Sequence, residues 1–433
     1  MNDHDERTID DVRMRGFAHR QTVEAALTWL DAQLRPLGAE IVPLQMAAGR
    51  VLATPVVSEF DVPGFDRATM DGYAVVAETT EGATSYNRLP LMVIGDSLPG
   101  HPFDGSVAAG QAVRIMTGAP VPLGCDAVLP AEWVEDASAT APTRTDVGHA
   151  GRHLTTAHCI SALAAVSPGK HVGRRGEDVV RGTTLFQSGR VLRPQDLGVL
   201  SSVGVGEVRV LSQPRVRLVI TGNELLPSGS QPRGYQIVDA NGPMLAALVA
   251  RDGGVVDFPG VVPDEHDAIL NALRADTDVV IVSGGSSVGI EDLAPTLLAQ
   301  HGDLAIHGIA MRPSSPTALG RVEHRLVFLL PGNPVSCLCG YDFFAGRAIR
   351  ALGGRTKAWP YKALHASLAR KISSPVGRLD YARVRVVDGA VEPLAVGGAS
   401  VLSSTTRADG FVIVPADSEG FAPGTEVEVW LYA

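Results

Sequence analysis

The sequence predicts a multidomain α/β-plus-β protein in which one doubly wound α/β unit stands between smaller β-rich units. Three observations carry that prediction. At 433 residues the chain exceeds what one ordinary hydrophobic core organises. Residues 214–354 alternate apolar, strand-like runs with helical patterns, as a parallel sheet covered on both faces requires. Residues 38–212 and 356–433 show only short β-like runs broken by Gly and Pro.

Taken in order, "RQTVEAALTWLDAQLR" (20–35) sets Val23, Ala26, Leu27, Leu30 and Leu34 on one face at helical spacing. Short runs such as "RVLATPVVS", "LPLMVIG" and "AVRIMTGAPVP" then predict small, irregular β domains. Residues 137–168 are poor in bulky apolar side chains and read as a flexible insertion or long loop. From 214 the pattern changes. "PRVRLVIT" reads as a strand, and "NGPMLAALVARDGG" as a helix capped by Asn241 and ending near Gly253. "VVDFPGVV" reads as a second strand, and "DEHDAILNALRA" as a helix opened by Asp264. "DVVIVSGG" is continuously apolar, as a strand buried on both faces should be. Helix "LAPTLLAQH", strands "LAIHGIAM" and "RLVFLLPG", and helix "PVSCLCGYDFFAGRAIRAL" complete the unit. After it, turns at Val387-Asp388-Gly389 and Pro423-Gly424 separate the strands of a small all-β C-terminal domain.

The formal net charge of −10 argues against a broad nucleic-acid or anionic-membrane surface. No apolar run approaches the ~18 residues of a transmembrane helix. The acidic "MNDHDERTIDD" does not resemble a signal peptide, so a cytoplasmic protein is expected. Lysine occurs only at 170, 357, 362 and 371, so a phosphate partner between 214 and 350 must be Arg, His, backbone or metal. Cys125, Cys159, Cys337 and Cys339 form no C-x-x-C pair and read as free thiols. His149, His153 and His158 fall in the predicted loop, where solvent exposure is the simpler reading than metal binding.

In an open parallel sheet, ligands bind beyond the C-terminal ends of the strands. Five segments fall there: Thr221-Gly222-Asn223-Glu224; Asp239-Ala240-Asn241; "SGGSSVG" (283–289) with Glu291 and Asp292; Arg312-Pro313-Ser314-Ser315-Pro316; and Pro331-Gly332-Asn333-Pro334-Val335-Ser336. "SGGSSVG" reads either as a tight turn or as an anion nest of exposed backbone N–H groups. "PGNPVS" sets Pro334 at a first helical position with Asn333 as cap. Asp239 and Asp292 are either plain helix caps or oxygen ligands for a divalent metal. Neither G-x-x-x-x-G-K-[ST] nor G-x-G-x-x-G occurs in this unit, which excludes a P-loop NTPase and a standard dinucleotide binder. A second set lies upstream: Asp66 and Asp71 in 61–75, Thr117 in "RIMTGAPVP", and Glu177 and Asp178 in "GRRGEDVVRG".

Six segments, in order, make a recognisable series: "DVPGFDRATMDGYAV", "RIMTGAPVPLGCDAV", "RRGEDV", "TGNEL", "SGGSSVG" and "LPGNPVS". From about residue 20 onward the chain resembles the MoeA family of molybdopterin molybdenumtransferases and their eukaryotic relative, the gephyrin E domain. The resemblance implies an elongated, four-domain molecule. Residues 16–57 and 165–212 would form the N-terminal linker domain, 58–164 an inserted β domain, 213–355 the molybdopterin-binding α/β domain, and 356–433 the C-terminal β domain. It implies a homodimer whose cleft joins the α/β domain of one subunit to the inserted domain of the other. The implied reaction inserts molybdate into adenylylated molybdopterin and releases AMP, with Mg2+ or another divalent cation. Asp66, Thr117, Asp239 and Asp292 match family motif positions and are the catalytic candidates, Asp239 and Asp292 also as metal ligands. Asp71, Glu177 and Asp178 are secondary candidates. Substrate contacts would come from Thr221, Gly222, Asn223, Glu224, Gly284, Gly285, Ser286, Ser287, Arg312, Ser315, Pro331, Gly332, Asn333 and Ser336.

The chain departs from the family pattern at three places. The loop that usually carries lysines, approximately K-x-x-x-K-P-G-K-P, here offers Arg312 with Ser314 and Ser315 and no lysine. T-G-D-E has become Thr221-Gly222-Asn223-Glu224, and the G-G-V-S-V-G segment reads "GGSSVGIEDL". The loop therefore reads as a depleted anion site. Two functions follow: a molybdenum insertase, or a gephyrin-like scaffold binding a peptide tail of a membrane receptor or a cytoskeletal or cell-division protein near the dimer interface.

Overall fold

The computed structural model describes residues 20–136, 158–284, 293–395 and 398–432. The first helix, Val23–Gln33, is capped by Thr22, whose side chain accepts from the Ala25 N–H at 3.1 Å. Its apolar stripe of Val23, Ala26 and Leu30, continued by Leu34, is buried in the core of the α/β unit rather than in the β-rich region that follows it in sequence. Arg347 reinforces that docking with a two-pronged ion pair to Asp31, at 2.8 and 2.7 Å.

Ala39–Pro43 pairs antiparallel with Glu207–Leu211, so the chain returns to its starting point after an excursion of more than 150 residues. Most of the excursion builds a six-stranded sheet in the order Ala127–Pro130, Gly72–Val75, Gln111–Ile115, Leu89–Ser97, His158–Ala162, Val134–Asp136. The expected loop over 137–168 is therefore partly wrong. His158–Ala162 is a strand, with Ile160 and Ala162 turned inward and Cys159 exposed. Two small-to-medium apolar residues at alternate positions are a weak signal, and pairing on both sides supplies what propensity lacks. His149 and His153 lie outside the described residues.

The α/β sheet runs Val255–Asp257, Arg215–Thr221, Val279–Ser283, Arg325–Leu330, Ala318–Val322, Asp303–His307. Its first four strands are parallel, and Ala318–Val322 is antiparallel to both neighbours. Alternate residues of the central strands feed two cores. Leu218, Ile281 and Phe328 face the helices Val23–Gln33 and Asn241–Arg251, while Val219, Val280 and Val327 face His266–Leu273 and Leu293–His301. The sheet is covered on both faces, as the continuous apolar run of Val279–Val282 requires.

Several expectations need correction. The run "LAIHGIAM" is two strands in two sheets. Asp303–His307 belongs to the α/β sheet, and Met311–Arg312 pairs parallel with Leu379–Val387 of the C-terminal sheet. Gly308, with φ at +87°, makes the break between them. "VVDFPGVV" divides likewise into Val255–Asp257 and Val261–Val262, around Gly260 at φ +101°. Asn241 is the first residue of its helix rather than the cap, and Asp264 precedes a helix whose N-cap is Glu265. The last helical stretch contains a π turn at Tyr341–Ala345 between Pro334–Gly340 and Gly346–Leu352.

The C-terminal sheet continues from Met311–Arg312 through Leu379–Val387, Gly410–Val414, Glu426–Leu431 and Lys362–Ser367. Val384, Val412 and Val429 form its own core. Trp359 joins it to the α/β unit, meeting Phe343 on one side and Phe411 and Trp430 on the other, all edge-on, while Tyr381 stacks on Phe411 within the sheet at 4.1 Å. Each such pair adds about 0.5–1.5 kcal/mol beyond area burial, so the two units are joined through a packed seam.

Candidate active site at the strand ends

Arg215–Thr221, Val279–Ser283 and Arg325–Leu330 all end on one edge of the sheet. Gly284 continues the middle strand with φ at +102°, and a Cβ there would collide with the Thr221 carbonyl oxygen. Only glycine allows these two chain ends to approach so closely. A Cβ built on Gly332 would lie 3.6 Å from the Gly284 Cα, so the two turns are also near neighbours.

Asp239 reaches the same edge. Leu225–Leu226 pairs parallel with Ile237–Val238, and the Asp239 N–H donates to the Leu226 carbonyl at 2.8 Å. This ties the Thr221–Glu224 turn to Asp239. Asp239 is 6 % exposed, and its Oδ1 accepts the Gly242 N–H at 2.9 Å. It therefore performs the helix-capping role that the sequence pattern assigns to Asn241. Asn241 has another task. Its Nδ2 donates to Ser283 Oγ at 2.9 Å and to the Gly332 carbonyl at 2.8 Å, crossing from one helix to two strand ends. The sequence places Asn241 and Ser283 in the strand-end segments but does not single them out as site contacts, because an Asn before a helical pattern looks like an ordinary cap.

Thr221 is buried, and its Oγ1 donates to Asp264 Oδ1 at 3.3 Å. Gly332 and Asn333 are exposed at the edge, while Pro331 and Ser336 are buried behind them. Asn223 and Glu224 are exposed in the turn. Cys337 approaches Ser283 Oγ at 3.5 Å, and burial pushes its thiol up to about 12, far from a reactive thiolate. Gly285, Ser286, Ser287 and Asp292 lie outside the described residues.

The loop 308–317 leaves the same edge but turns toward the C-terminal sheet. Arg312 pairs with Asp380, a carboxylate of zero exposure that also accepts from Arg378 Nε at 3.1 Å. Two guanidinium groups thus share one carboxylate. Ser314 adopts φ +86° and bonds through Oγ to Thr317 Oγ1 at 2.7 Å, while Ser315 Oγ is enclosed without a hydrogen-bond partner. The single cation of this loop is engaged in an interdomain ion pair.

The upstream residues form a separate cluster. Asp66 accepts from Arg174 Nη1 at 2.7 Å and from the Arg175 N–H at 2.8 Å; these bonds hold its carboxyl below the usual range. Asp71 accepts both the N–H and the hydroxyl of Thr117 at 2.7 Å, which lowers it in the same way. Asp61 binds Arg175 Nε at 2.6 Å and the Arg181 N–H at 2.7 Å. Glu177 and Asp178 lie in the same 174–181 loop, where the Asp178 N–H donates to the Val62 carbonyl at 3.0 Å. Among the described residues the partners of Asp66, Asp71 and Thr117 lie within this region, away from the strand-end edge.

Three family models cover nearly the whole chain. Residues 21–204 match the MoeA N-terminal region (domains I and II), 217–351 a probable molybdopterin-binding domain, and 365–432 the MoeA C-terminal region (domain IV). A protein of Mycobacterium tuberculosis named molybdopterin molybdenumtransferase 2 is 34% identical over 429 residues, spanning 96% of this chain and 99% of its own length. The chain belongs to the MoeA family.

A molybdopterin molybdenumtransferase of Haemophilus influenzae is 32% identical over 91% of this chain and 94% of its own length. Among solved structures, a MoeA protein of Pyrococcus horikoshii superposes with a TM-score of 0.72 at 31% identity, covering 96% of this chain and all of the other. The MoeA fold is thus shared from end to end. The transferase names of these relatives do not favour the peptide-scaffold reading.

Proposed function

We propose that this chain is a molybdopterin molybdenumtransferase, acting in molybdenum cofactor biosynthesis on adenylylated molybdopterin and molybdate, with release of AMP. The observation that carries this reading is the strand-end edge where Gly284, Gly332, Asp239 and Asn241 converge. Turns free of Cβ atoms let a phosphate approach backbone N–H groups closely. Thr221, Gly222, Asn223, Glu224, Pro331, Asn333 and Ser336 would border the substrate, with Gly285, Ser286 and Ser287 continuing the turn. Arg312 and Ser315 are weaker candidates, because Arg312 already serves Asp380.

Among the described residues no three acid, His or Cys side chains gather around a metal. A cation bridging substrate phosphate needs only one or two carboxylates, and Mg2+ keeps much of its water. Asp239, whose Oδ2 is not used in capping, fits that need, and Asp292 would be the second ligand. When bound, the cation supplies positive charge to the phosphate oxygens.

Asp66, Asp71 and Thr117 would meet the same substrate only across a homodimer. Val57, Phe60, Phe65 and Val180, all near this cluster in the fold, are 47–58 % exposed, and an apolar surface of that kind fits burial by a second copy. The domain division at 57/58, 164/165, 212/213 and 355/356 and a cytoplasmic location belong to the same proposal. Among the described residues no helix is long and apolar enough to cross a membrane.

The test supplies adenylylated molybdopterin and molybdate to the purified chain and follows AMP. Molybdate-dependent release, lost in Asp239→Asn, is expected. Absence of both AMP release and pterin binding would overturn the assignment. Light scattering should give a dimer, converted to monomer by Phe60→Asp with Phe65→Asp; a wild-type monomer would remove the cross-subunit part.

A further inference from the structure

Asp239 caps the helix that starts at the strand ends; Asn241, the first residue of that helix, does not. It is 6 % exposed, stands at the start of Asn241–Arg251, and spends both Nδ2 hydrogens on other elements. One goes to Ser283 Oγ at 2.9 Å, the residue before Gly284, and the other to the Gly332 carbonyl at 2.8 Å. The orientation of the carboxamide follows from chemistry, because a backbone carbonyl only accepts, so the nitrogen must face Gly332. Among the described residues its enclosed Oδ1 has no hydrogen-bond partner. A buried acceptor left unmatched is rare in native proteins. The side chain is thus held where it is for its two donor bonds, at the expense of its acceptor.

Those two bonds fix a distance. Gly284 is pressed against the Thr221 carbonyl, and Gly332 faces Gly284 across the gap. Ser283 Oγ also lies 3.5 Å from the Pro331 carbonyl and from Cys337 Sγ. Among the described residues, beside the strand ladder that ends at Ser283 and Leu330, the other polar links at this point are this long contact and the Gly284 N–H to the Leu330 carbonyl at 3.4 Å. We propose that Asn241 is a positioning residue that sets the separation of the Gly284 and Gly332 turns and thereby the affinity for the phosphate-bearing pterin substrate. This rests on the reading of the strand-end edge as the substrate site. A preformed gap of fixed width removes the ordering penalty that a loose pair of turns would incur on binding.

The test compares wild type, Asn241→Ala, Ser283→Ala and the double variant, each first checked by thermal melting to be folded at the assay temperature. Affinity for adenylylated molybdopterin is read from pterin fluorescence, and KM and kcat from AMP release. Asn241→Ala should weaken binding about 10-fold, as loss of two buried donor bonds implies. KM should rise in parallel, with kcat changed less than about twofold. Ser283→Ala should weaken binding about threefold, and the double variant should match Asn241→Ala, because the shared bond is lost only once. Overturning results are binding by Asn241→Ala within twofold of wild type, additive losses in the double variant, or a fall in kcat at unchanged KM, which marks a smaller folded fraction. If wild type itself binds no pterin, the substrate reading falls and the positioning role falls with it. If wild type binds and the variants do too, only the positioning role falls.

Discussion

Asp380→Asn tests the ion pair that engages the single arginine of the loop 308–317. The substitution keeps shape and volume but removes the charge that Arg312 and Arg378 share. Asp380 has no exposed surface, whereas the two arginine side chains are 34 % and 29 % exposed. A hydrogen bond to a charged group contributes about 1.5–3 kcal/mol and a neutral one about 0.5–1.5, so converting two gives a loss of about 2–3 kcal/mol. Both guanidinium groups can recover water on their exposed sides, which reduces the expected loss to about 1–2 kcal/mol. Urea unfolding at pH 7 should show this as a lower midpoint with unchanged slope. Arg312→Ala should lose less, because Arg378 still faces the carboxylate. Asp380→Asn should also release Arg312 and raise affinity for inorganic phosphate or AMP. A stability change below about 0.5 kcal/mol would refute the claim that this ion pair ties the loop to the C-terminal sheet.

Three further outcomes follow from the geometry. Gly284→Ala should destabilise by about 2–5 kcal/mol through positive φ and collision with Thr221, while Gly332→Ala, with only a 3.6 Å contact, should stay below about 1; equal effects in urea unfolding would contradict the close-approach argument. Burial pushes Asp342 up to about 6, so its contribution is complete below the ordinary carboxylate range and is lost as pH rises through about 6. Asp342→Asn should therefore gain on wild type in melting temperature between about pH 4 and 7, and a pH-independent difference would count against it. Asp196 is lowered, first by its hydrogen bond from Arg190 and further by Arg193, so its contribution is present above the ordinary carboxylate value and lost as pH falls below it. Asp196→Asn should melt lower than wild type at neutral pH, with the gap closing toward about pH 2.

Much of the α/β unit was legible because its signals are local. Val279–Val282 is apolar at every position, and the strand Val279–Ser283 proved buried throughout. The helix Val23–Gln33 kept its predicted stripe, although the core that receives it is built from residues beyond 215 and no periodicity names it. Where reading failed, a distant partner had overruled local preference. His158–Ala162 became a strand because two neighbours flank it, and Met311–Arg312 left one sheet for another at Gly308. Asn241 looked like a cap, yet Asp239 caps and Asn241 spans.

The sequence by itself determined the family and the core strands covered on both faces, because motif order, hydrophobic period and glycine placement are written in consecutive residues. Only the tertiary structure decided which of those residues act together. Hydrogen bonds across some 40 to 90 residues, from Asn241 to Ser283 and Gly332, depend on strand order rather than spacing. The same holds for Arg312: its charge is visible in the sequence, but the carboxylate that occupies it is buried 68 residues further on, on the neighbouring strand of the C-terminal sheet.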